Sequence, residues 1–276
     1  MKTIHTLKKV SLATFLTFVL SFSSVFAQND TMYIMKSGAI VGQYNVNTEV
    51  DSVIFYKPTI EETTSGTFID SRDGNEYNWV QIGDQVWMAE NLAYLPSVNM
   101  VADGSEDAAG SYYYVYGYDG TNVADAKATD NYATYGVLYN WTAAMDGEAS
   151  STTNPSGIQG VCPAGWHLPS EAEWTELTNY LGGTSVAGGK LKETGTTHWN
   201  TPNTGATNET GFTALPGGYR FTNGSFYNIG NLGNWWSATE LNAAYAWNRY
   251  MYGSYSDVHR DYFNKEVGFS VRCVRD

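Results

Sequence analysis

The feature that most restricts the fold of this chain is the shortness of its apolar runs. An Asp-Gly turn at 73–74 and a Gly-Asp turn at 83–84 each lie between two such runs. Aromatic residues make up 15% of the chain, with 21 Tyr and 9 Trp, and Gly is plentiful at 28 residues. This pattern is typical of short strands joined by tight turns and disfavours a helix bundle.

The first 27 residues have the features of a cleavable signal peptide. Lys2, Lys8 and Lys9 precede the apolar run, and Ala27 occupies the position before the predicted cut. The run is roughly ten to twelve residues, whereas a membrane span needs about 20. An anchored or core helix is the alternative. We predict export through the inner membrane, with the mature protein secreted, at the outer cell surface or in the periplasm.

The predicted mature chain is strongly acidic. Residues 1–27 contain three of the 15 basic residues and no acidic residue, which leaves 12 basic against 28 acidic residues and a net charge of −16. Such a surface repels phosphate backbones, and no basic patch offsets it, so we predict no nucleic-acid partner. Acidity also suits divalent cations, although solubility alone explains it. No later segment is apolar for long enough to cross a membrane.

The chain has two cysteines, Cys162 and Cys273. In an exported protein their expected state is a disulfide. The closed loop of about 110 residues would stabilise the fold by at most about 4.7 kcal/mol. Free, buried thiols are the alternative. A metal pair is disfavoured because the chain lacks Cys-x-x-Cys and its four histidines show no ligand spacing.

Changes in composition divide the chain into segments. Three short apolar runs, at 32–36, 39–41 and 53–56, predict a small strand module, and a polar stretch follows it. The predicted boundaries are a signal peptide at 1–27, a short β module at 28–57, a linker at 58–66 and a main domain at 67–276.

Two short helices are predicted in the main domain. Ser170 and Glu173 form a capping box before a helix at 171–181, whose apolar residues recur at helical spacing. Residues 135–145 predict a second helix. Residues 97–133 are expected to form irregular loops.

The chain is expected to be β-like from residue 211 onward. Phe269, Val271 and Cys273 alternate with polar residues, which predicts a final strand with one buried face and with Cys273 pointing inward.

Six sequence blocks resemble the Fibrobacter succinogenes major paralogous domain over residues 67–276. They are WMAENL at 87–92, YGVLY at 135–139, CPAGWHLPS with the following Glu-Trp at 162–174, GFTALPGGYR at 211–220, WWSATE at 235–240 and GFSVRCVRD at 268–276. The strand module resembles a short module of secreted proteins from Bacteroidetes-type bacteria.

The resemblance implies an α+β, C-type-lectin-like domain with small twisted antiparallel sheets, two short helices and long loops. It also implies a distant relation to formylglycine-generating enzymes. In that fold a disulfide joins the helix region to the last strand, which matches the places of Cys162 and Cys273. The ligand site of lectin members corresponds loosely to residues 221–264. The family has no established activity.

Within that region, one cluster is rich in groups that suit a sugar. It comprises Trp235, Trp236, Glu240, Asn242, Trp247, Asn248 and Arg249. Indole faces would stack on a sugar ring, while the polar groups would bond hydroxyls or share a calcium ion. The alternative is that both tryptophans at 235–236 are core residues. Calcium is disfavoured because Arg249 follows Trp-Asn where the calcium pattern needs an acid.

The sequence contains few signs of a catalytic site. The chain contains neither G-x-S-x-G nor H-E-x-x-H, and His167 is interpreted as a structural histidine rather than a base. We predict a non-catalytic module that binds an extracellular glycan or a surface protein. One alternative is a structural or adhesive component that assembles through strands in 32–56. A less favoured one is a hydrolase with paired carboxylates.

Overall fold

The computed structural model describes residues 31–36, 39–45 and 64–276. They fall in two units, which are divided after residue 62. In the N-terminal unit, β1 (Thr31–Lys36) and β2 (Ala39–Asn45) pair as an antiparallel hairpin, in agreement with the two strands predicted there. The third predicted strand, at 53–56, and the predicted signal peptide lie outside the described residues.

The second unit combines short antiparallel strands with five short helices. Its strands are β3 (Ser65–Ile69), β4 (Glu76–Ile82), β5 (Gln85–Met88), β6 (Tyr113–Tyr114), β7 (Leu138–Tyr139), β8 (Trp166–His167), β9 (Tyr219–Phe221), β10 (Ser225–Tyr227), β11 (Leu232–Glu240), β12 (Tyr245–Tyr252), β13 (His259–Asn264) and β14 (Val274–Arg275). Its helices are α1 (Val123–Lys127), α2 (Asp130–Tyr135), α3 (Trp141–Met145), α4 (Glu171–Tyr180) and α5 (Thr184–Leu191). This content confirms the predicted α+β class.

Two sheets organise this unit. The larger has the order β3-β4-β5-β14-β8, and the smaller has the order β11-β12-β13. The strand β14 lies between two strands that are distant in sequence, because Val274 pairs with both Trp87 and His167. Two further antiparallel pairs, β9–β10 and β6–β7, complete the strand pairing of this unit.

Helix α4 forms where the sequence predicts it. Ser170 and Glu173 make both hydrogen bonds of the capping box, so two backbone N–H groups at the helix start are satisfied. Trp174 and Leu177 are fully buried on the face that packs against the sheets. Leu181 caps the helix, and glycines follow it.

The predicted disulfide between Cys162 and Cys273 is confirmed. Both cysteines are fully buried, and their Cα atoms are 6.0 Å apart. The bridge joins the segment before β8 to the segment before β14, which are also adjacent in the larger sheet.

Three local predictions differ from the structure. The predicted helix at 135–145 is wrong in its first half, because Gly136 adopts φ 72° and ends α2. The chain then forms β7 before α3 begins. The region 97–133 is also less irregular than expected, since it contains β6, α1 and most of α2. Strand β3 begins at Ser65, inside the segment predicted as linker.

Helix α5 was not predicted, because Gly188 and Gly189 weaken its helical signal. The structure explains both glycines. A Cβ atom at Gly188 would lie 2.3 Å from the carbonyl oxygen of Asp257, and one at Gly189 would lie 2.4 Å from that of Gly205. Close packing of the helix against two loops therefore requires residues without side chains.

The final segment is buried on both faces and forms a regular strand only at Val274–Arg275, after isolated bridges at 268–270, which corrects the prediction of a final strand with one buried face. Phe269, Val271 and Cys273 are buried as expected, but Ser270 and Arg272 are buried too. The alternation of polar and apolar residues did not predict this burial, because neighbouring segments cover both faces of the segment and form hydrogen bonds with its polar groups.

Candidate functional site

The two tryptophans at the centre of the predicted site are core residues. Trp235 and Trp236 are 0% exposed. Their indole N–H groups donate to Asn91 Oδ1 and to the carbonyl oxygen of Tyr139, each at 2.8 Å. Since neither indole has a face open to a ligand, the structure supports the core interpretation and corrects the ligand-binding prediction for this pair.

Two polar residues of the predicted site are also buried. The Asn248 side-chain amide donates to Asn234 Oδ1 at 3.3 Å. Arg249 Nη2 lies 2.9 Å from Glu171 Oε2, in an ion pair with the first residue of α4. Asn248 therefore connects two strands of the sheet and Arg249 connects the sheet to the helix, which corrects the prediction of both as ligand groups.

The remaining predicted residues lie at the surface but do not converge. Glu240 forms an ion pair with Lys265 at 2.7 Å. Asn242 accepts hydrogen bonds from two backbone N–H groups and so closes the turn between β11 and β12. Trp247 is half-buried, and Arg260 Cζ lies 3.3 Å from its ring centroid. The seven residues therefore do not form one site.

Half-exposed and exposed aromatic side chains gather instead on β9, β10, β12, the turn that follows β12 and the start of β13. We call this group the tyrosine surface; its members are Tyr219, Tyr227, Tyr250, Tyr252, Tyr255 and His259. Tyr255 is 55% exposed and Tyr227 is 38% exposed.

Ring contacts connect the part of the tyrosine surface that lies on β12 and β13. Tyr250 and Tyr252 are two positions apart on β12 and so share a face, with ring centroids 5.6 Å apart. The Tyr250 ring stacks on its cross-strand partner His259 at 4.8 Å. Tyr255 contacts Tyr252 at 6.3 Å and His259 at 6.1 Å. Because each of these rings contacts at least one other, few rotamers of their side chains remain for a bound ligand to restrict.

Strands β9 and β10 supply the other part of the surface. The ring centroids of Tyr219 and Tyr227 are 5.7 Å apart. Partial burial raises the pKa of Tyr219, and the nearby phenols of Tyr252 and Tyr227 raise it further. The backbone connects the two parts, because Gly218, which precedes Tyr219, donates to the carbonyl oxygen of Leu232, and Leu232 pairs with Tyr252.

Amides and a carboxylate border these rings. Asn223 donates to the Tyr227 hydroxyl at 2.6 Å, and the Asn228 side chain opposes the rise in the pKa of Tyr219. Asn231 immediately precedes β11, whose first residue pairs with Tyr252. Asp261 lies close enough to Tyr250 to add to the effect of burial in raising the pKa of that phenol.

The sequence carries a signal for this surface that is separate from the tryptophans of the predicted site. Tyr250, Met251 and Tyr252 alternate between half-exposed, buried and half-exposed positions. Strand alternation within 221–264 would have placed both tyrosines on one face. The contribution of β9 and β10 could not be inferred from the sequence, because only the folded structure brings those strands close to β12.

His167 is held by two carboxylates. Its Nε2 lies 2.5 Å from Glu173 Oε1, and its Nδ1 lies 2.7 Å from Asp276 Oδ1. Burial disfavours the charged ring, but the two carboxylates outweigh it and raise the pKa of His167. Because both ring nitrogens are bonded, the geometry supports the structural interpretation of this residue.

Within residues 31–36, 39–45 and 64–276, no three His, Cys, Asp or Glu side chains are grouped so that they could hold a metal ion. In the same residues, no helix is long and apolar enough to cross a membrane.

Fold and surface together define a disulfide-bridged α+β domain that presents an aromatic surface. Comparison with family models gives the family: that of the Fibrobacter succinogenes major domain matches residues 80–275. The match spans more than half of the 276 residues, so the chain belongs to this family. Comparisons with curated proteins and with solved structures found no match.

Proposed function

We propose that this protein is an exported, non-catalytic module that binds a glycan through the tyrosine surface. The observation that carries the proposal is the presence of two groups of contacting, half-exposed or exposed aromatic rings on strands that lie next to each other. The site lies within the 221–264 region predicted for ligand binding, except for Tyr219.

The chemistry of the surface suits sugars. Aromatic faces pack against the C–H faces of a sugar ring, while phenol, amide and carboxylate groups bond its hydroxyls. Tyrosine provides a large contact area with only two side-chain torsions, so that ordering it on binding costs little. The ring contacts already described reduce this cost further.

The charge of the protein limits the class of glycan that it can bind. The predicted mature chain carries a net charge of −16, which repels polyanions. The tyrosine surface itself contains no Lys or Arg, and Asp261 borders it. We therefore expect neutral polysaccharides to bind better than those rich in uronic acid or sulfate.

The N-terminal hairpin favours a second candidate function, which is assembly with other surface proteins. Ile40 and Val41 are each 58% exposed, and Ile34 is 46% exposed. A two-stranded hairpin is marginally stable alone, so exposed apolar side chains on it suit the addition of further strands.

The first experiment is a screen of the mature protein, residues 28–276, against neutral and acidic polysaccharides in calcium and in EDTA. We expect retention by at least one neutral polysaccharide, and loss of that retention in Tyr250→Ala. Tyr180→Ala is the matched control, because Tyr180 is 65% exposed on α4 and lies outside the tyrosine surface.

The same screen can refute the proposal. If no polysaccharide retains the protein in either buffer, that result would contradict glycan binding and favour the assembly function. Binding that Tyr250→Ala leaves intact would place the site elsewhere. Equal retention in calcium and in EDTA would remove calcium as a cofactor.

A further inference from the structure

Lys192, which directly follows helix α5, is a buried lysine without a carboxylate partner. The residue is 0% exposed, and among residues 64–276 no carboxylate lies within ion-pair distance of it. Its Nζ instead donates to the carbonyl oxygens of Thr204 at 3.0 Å, Tyr252 at 3.1 Å and Tyr255 at 2.7 Å. Two of these three acceptors belong to the tyrosine surface, so Lys192 joins that surface to the core.

The set of acceptors matches the charged form of the side chain. An ammonium group has three N–H donors, whereas a neutral amine has two donors and a lone pair. Three carbonyl oxygens around Nζ therefore use every donor of the charged form. In the neutral form, one of these oxygens would face the lone pair and be repelled by it. The Trp199 ring, whose centroid lies 5.3 Å from Nζ, also favours a cation.

Burial acts against this charge and moves its titration towards neutral pH. It lowers the pKa of Lys192 from its usual value of 10.5 to about 8. The side chain is therefore mostly charged at pH 7 and mostly neutral at pH 9. Besides the phenols of Tyr252 and Tyr255, the titratable side chains on the surrounding segments pair with one another; the pairs are Lys190 with Glu209, Glu193 with His198, and Asp257 with His259.

The turn that contains Tyr255 also has a support that is independent of Lys192. The carbonyl oxygen of Ser256 accepts the N–H of Gly189 on α5 at 2.9 Å. In contrast, within residues 64–276 the carbonyl oxygen of Tyr255 accepts a hydrogen bond from Lys192 alone. Loss of the lysine proton should therefore reorient the Tyr255 peptide group without unfolding the turn.

We propose that Lys192 is a positioning residue of the tyrosine surface, whose ammonium fixes Tyr252 and Tyr255 for binding and releases Tyr255 when its proton is lost. The Tyr255 ring contacts the rings of Tyr252 and His259, so its movement reaches the rest of the surface. This role rests on the proposed function, because the fully buried Lys192 cannot touch a ligand itself. Binding by the tyrosine surface should weaken as pH rises through about 8.

The first test requires no ligand. The carbonyl ¹³C signals of Thr204, Tyr252 and Tyr255 are followed against pH in the mature protein, residues 28–276, by carbon-detected NMR, which does not depend on amide exchange. We expect the three signals to shift together with a midpoint near pH 8. The shared transition should be absent from Lys192→Met, whose neutral side chain has a similar length.

His259→Phe is the matched control for this titration. His259 is a titratable side chain of the same surface, and a phenylalanine keeps a ring against Tyr250. We expect the transition near pH 8 to persist in this variant, because Lys192 and its three acceptors are unchanged. A transition that disappears with His259 would assign the titration to the imidazole and overturn the proposal.

The second test measures binding by calorimetry at pH 7 and pH 9 with cellopentaose, mannopentaose and xylopentaose. We expect the affinity for at least one of them to fall about tenfold at the higher pH, which is the factor that one hydrogen bond to a charged group contributes. Lys192→Met should bind weakly at both pH values. By reciprocity, a saturating sugar that prefers the charged form about tenfold should raise the carbonyl midpoint by about one pH unit.

The two tests separate this role from glycan binding itself. If the carbonyl signals titrate together and no sugar binds at pH 7, glycan binding is refuted while Lys192 still controls the turn. If the signals do not titrate together, or do so equally in Lys192→Met, the role of Lys192 is refuted. An equal fall in affinity for the unchanged protein and for Lys192→Met would refute it as well.

Discussion

Strands β11 and β12 are neighbours in one sheet, yet they place their aromatic residues in different environments. Eight of the nine residues of β11 are buried, including Trp235 and Trp236. On β12 buried and half-buried positions mostly alternate, which leaves Tyr250 and Tyr252 partly exposed. Aromatic content alone therefore does not mark a binding surface; what matters is whether other elements cover both faces of the strand.

The two strands differ in burial because different elements pack against their faces. On one face of β11, the Trp235 ring lies 6.4 Å from Trp174 of α4. On the other face, the Trp236 ring lies 4.5 Å from Phe269. At the Tyr250 end of β12, only the face that carries Met251 is fully buried.

The largest expected effect tests this comparison directly. Trp236→Ala should lower the free energy of unfolding by about 3–5 kcal/mol, because it leaves a large cavity in the core. Tyr250→Ala should lower it by less than about 1 kcal/mol, since that ring is half-exposed. Urea unfolding of both variants measures the two values. Similar losses for the two would remove the distinction between the strands.

The next effect concerns the polar contact that covers β12. Glu171→Gln should cost about 3 kcal/mol, because it leaves the buried guanidinium of Arg249 without its charged partner. Arg260→Gln is the control, since Arg260 bonds the same carboxylate but is half-exposed, and we expect a loss below about 1 kcal/mol. Thermal unfolding compares the two. A larger loss of stability for Arg260→Gln would mean that the exposure of the charged groups does not determine how much each ion pair stabilises the protein.

The smallest effect extends the comparison to a buried titratable group. The pKa of His167 is raised in the folded protein, so its contribution to stability is complete below the unfolded value of about 6.5 and is lost as pH rises through the folded value. His167→Gln should therefore destabilise by about 1 kcal/mol more at pH 5.5 than at pH 9. Urea unfolding at both pH values measures this difference. A loss that does not vary with pH would show that His167 acts only through packing.

Local signals in the sequence were sufficient for part of the fold. The capping box of Ser170 and Glu173 predicted α4, and the turns at 73–74 and 83–84 predicted the hairpins of β3, β4 and β5. The disulfide followed from two cysteines in a chain predicted to be exported. Each of these predictions depends only on residues that are close in the sequence or on the predicted cellular compartment.

The site was harder to predict, because burial depends on residues far along the chain. Asn91 bonds the indole of Trp235 across 144 positions, and only the folded structure shows that this tryptophan is covered. The tyrosine surface requires the pairing of β12 with β13 and the approach of β9. Sequence spacing encodes neither. The family blocks identified the domain correctly, but they mark its core better than its surface.

The position of β14 has a consequence for how the domain is made. Val274 joins the sheet between Trp87 and His167, so the ribosome supplies β5 and β8 well before the strand that connects them. Until that strand is synthesised, the larger sheet cannot be completed, and Cys162 has no partner. The export that we propose for this chain would gain from this delay, because the sheet could close only after β14 had been supplied.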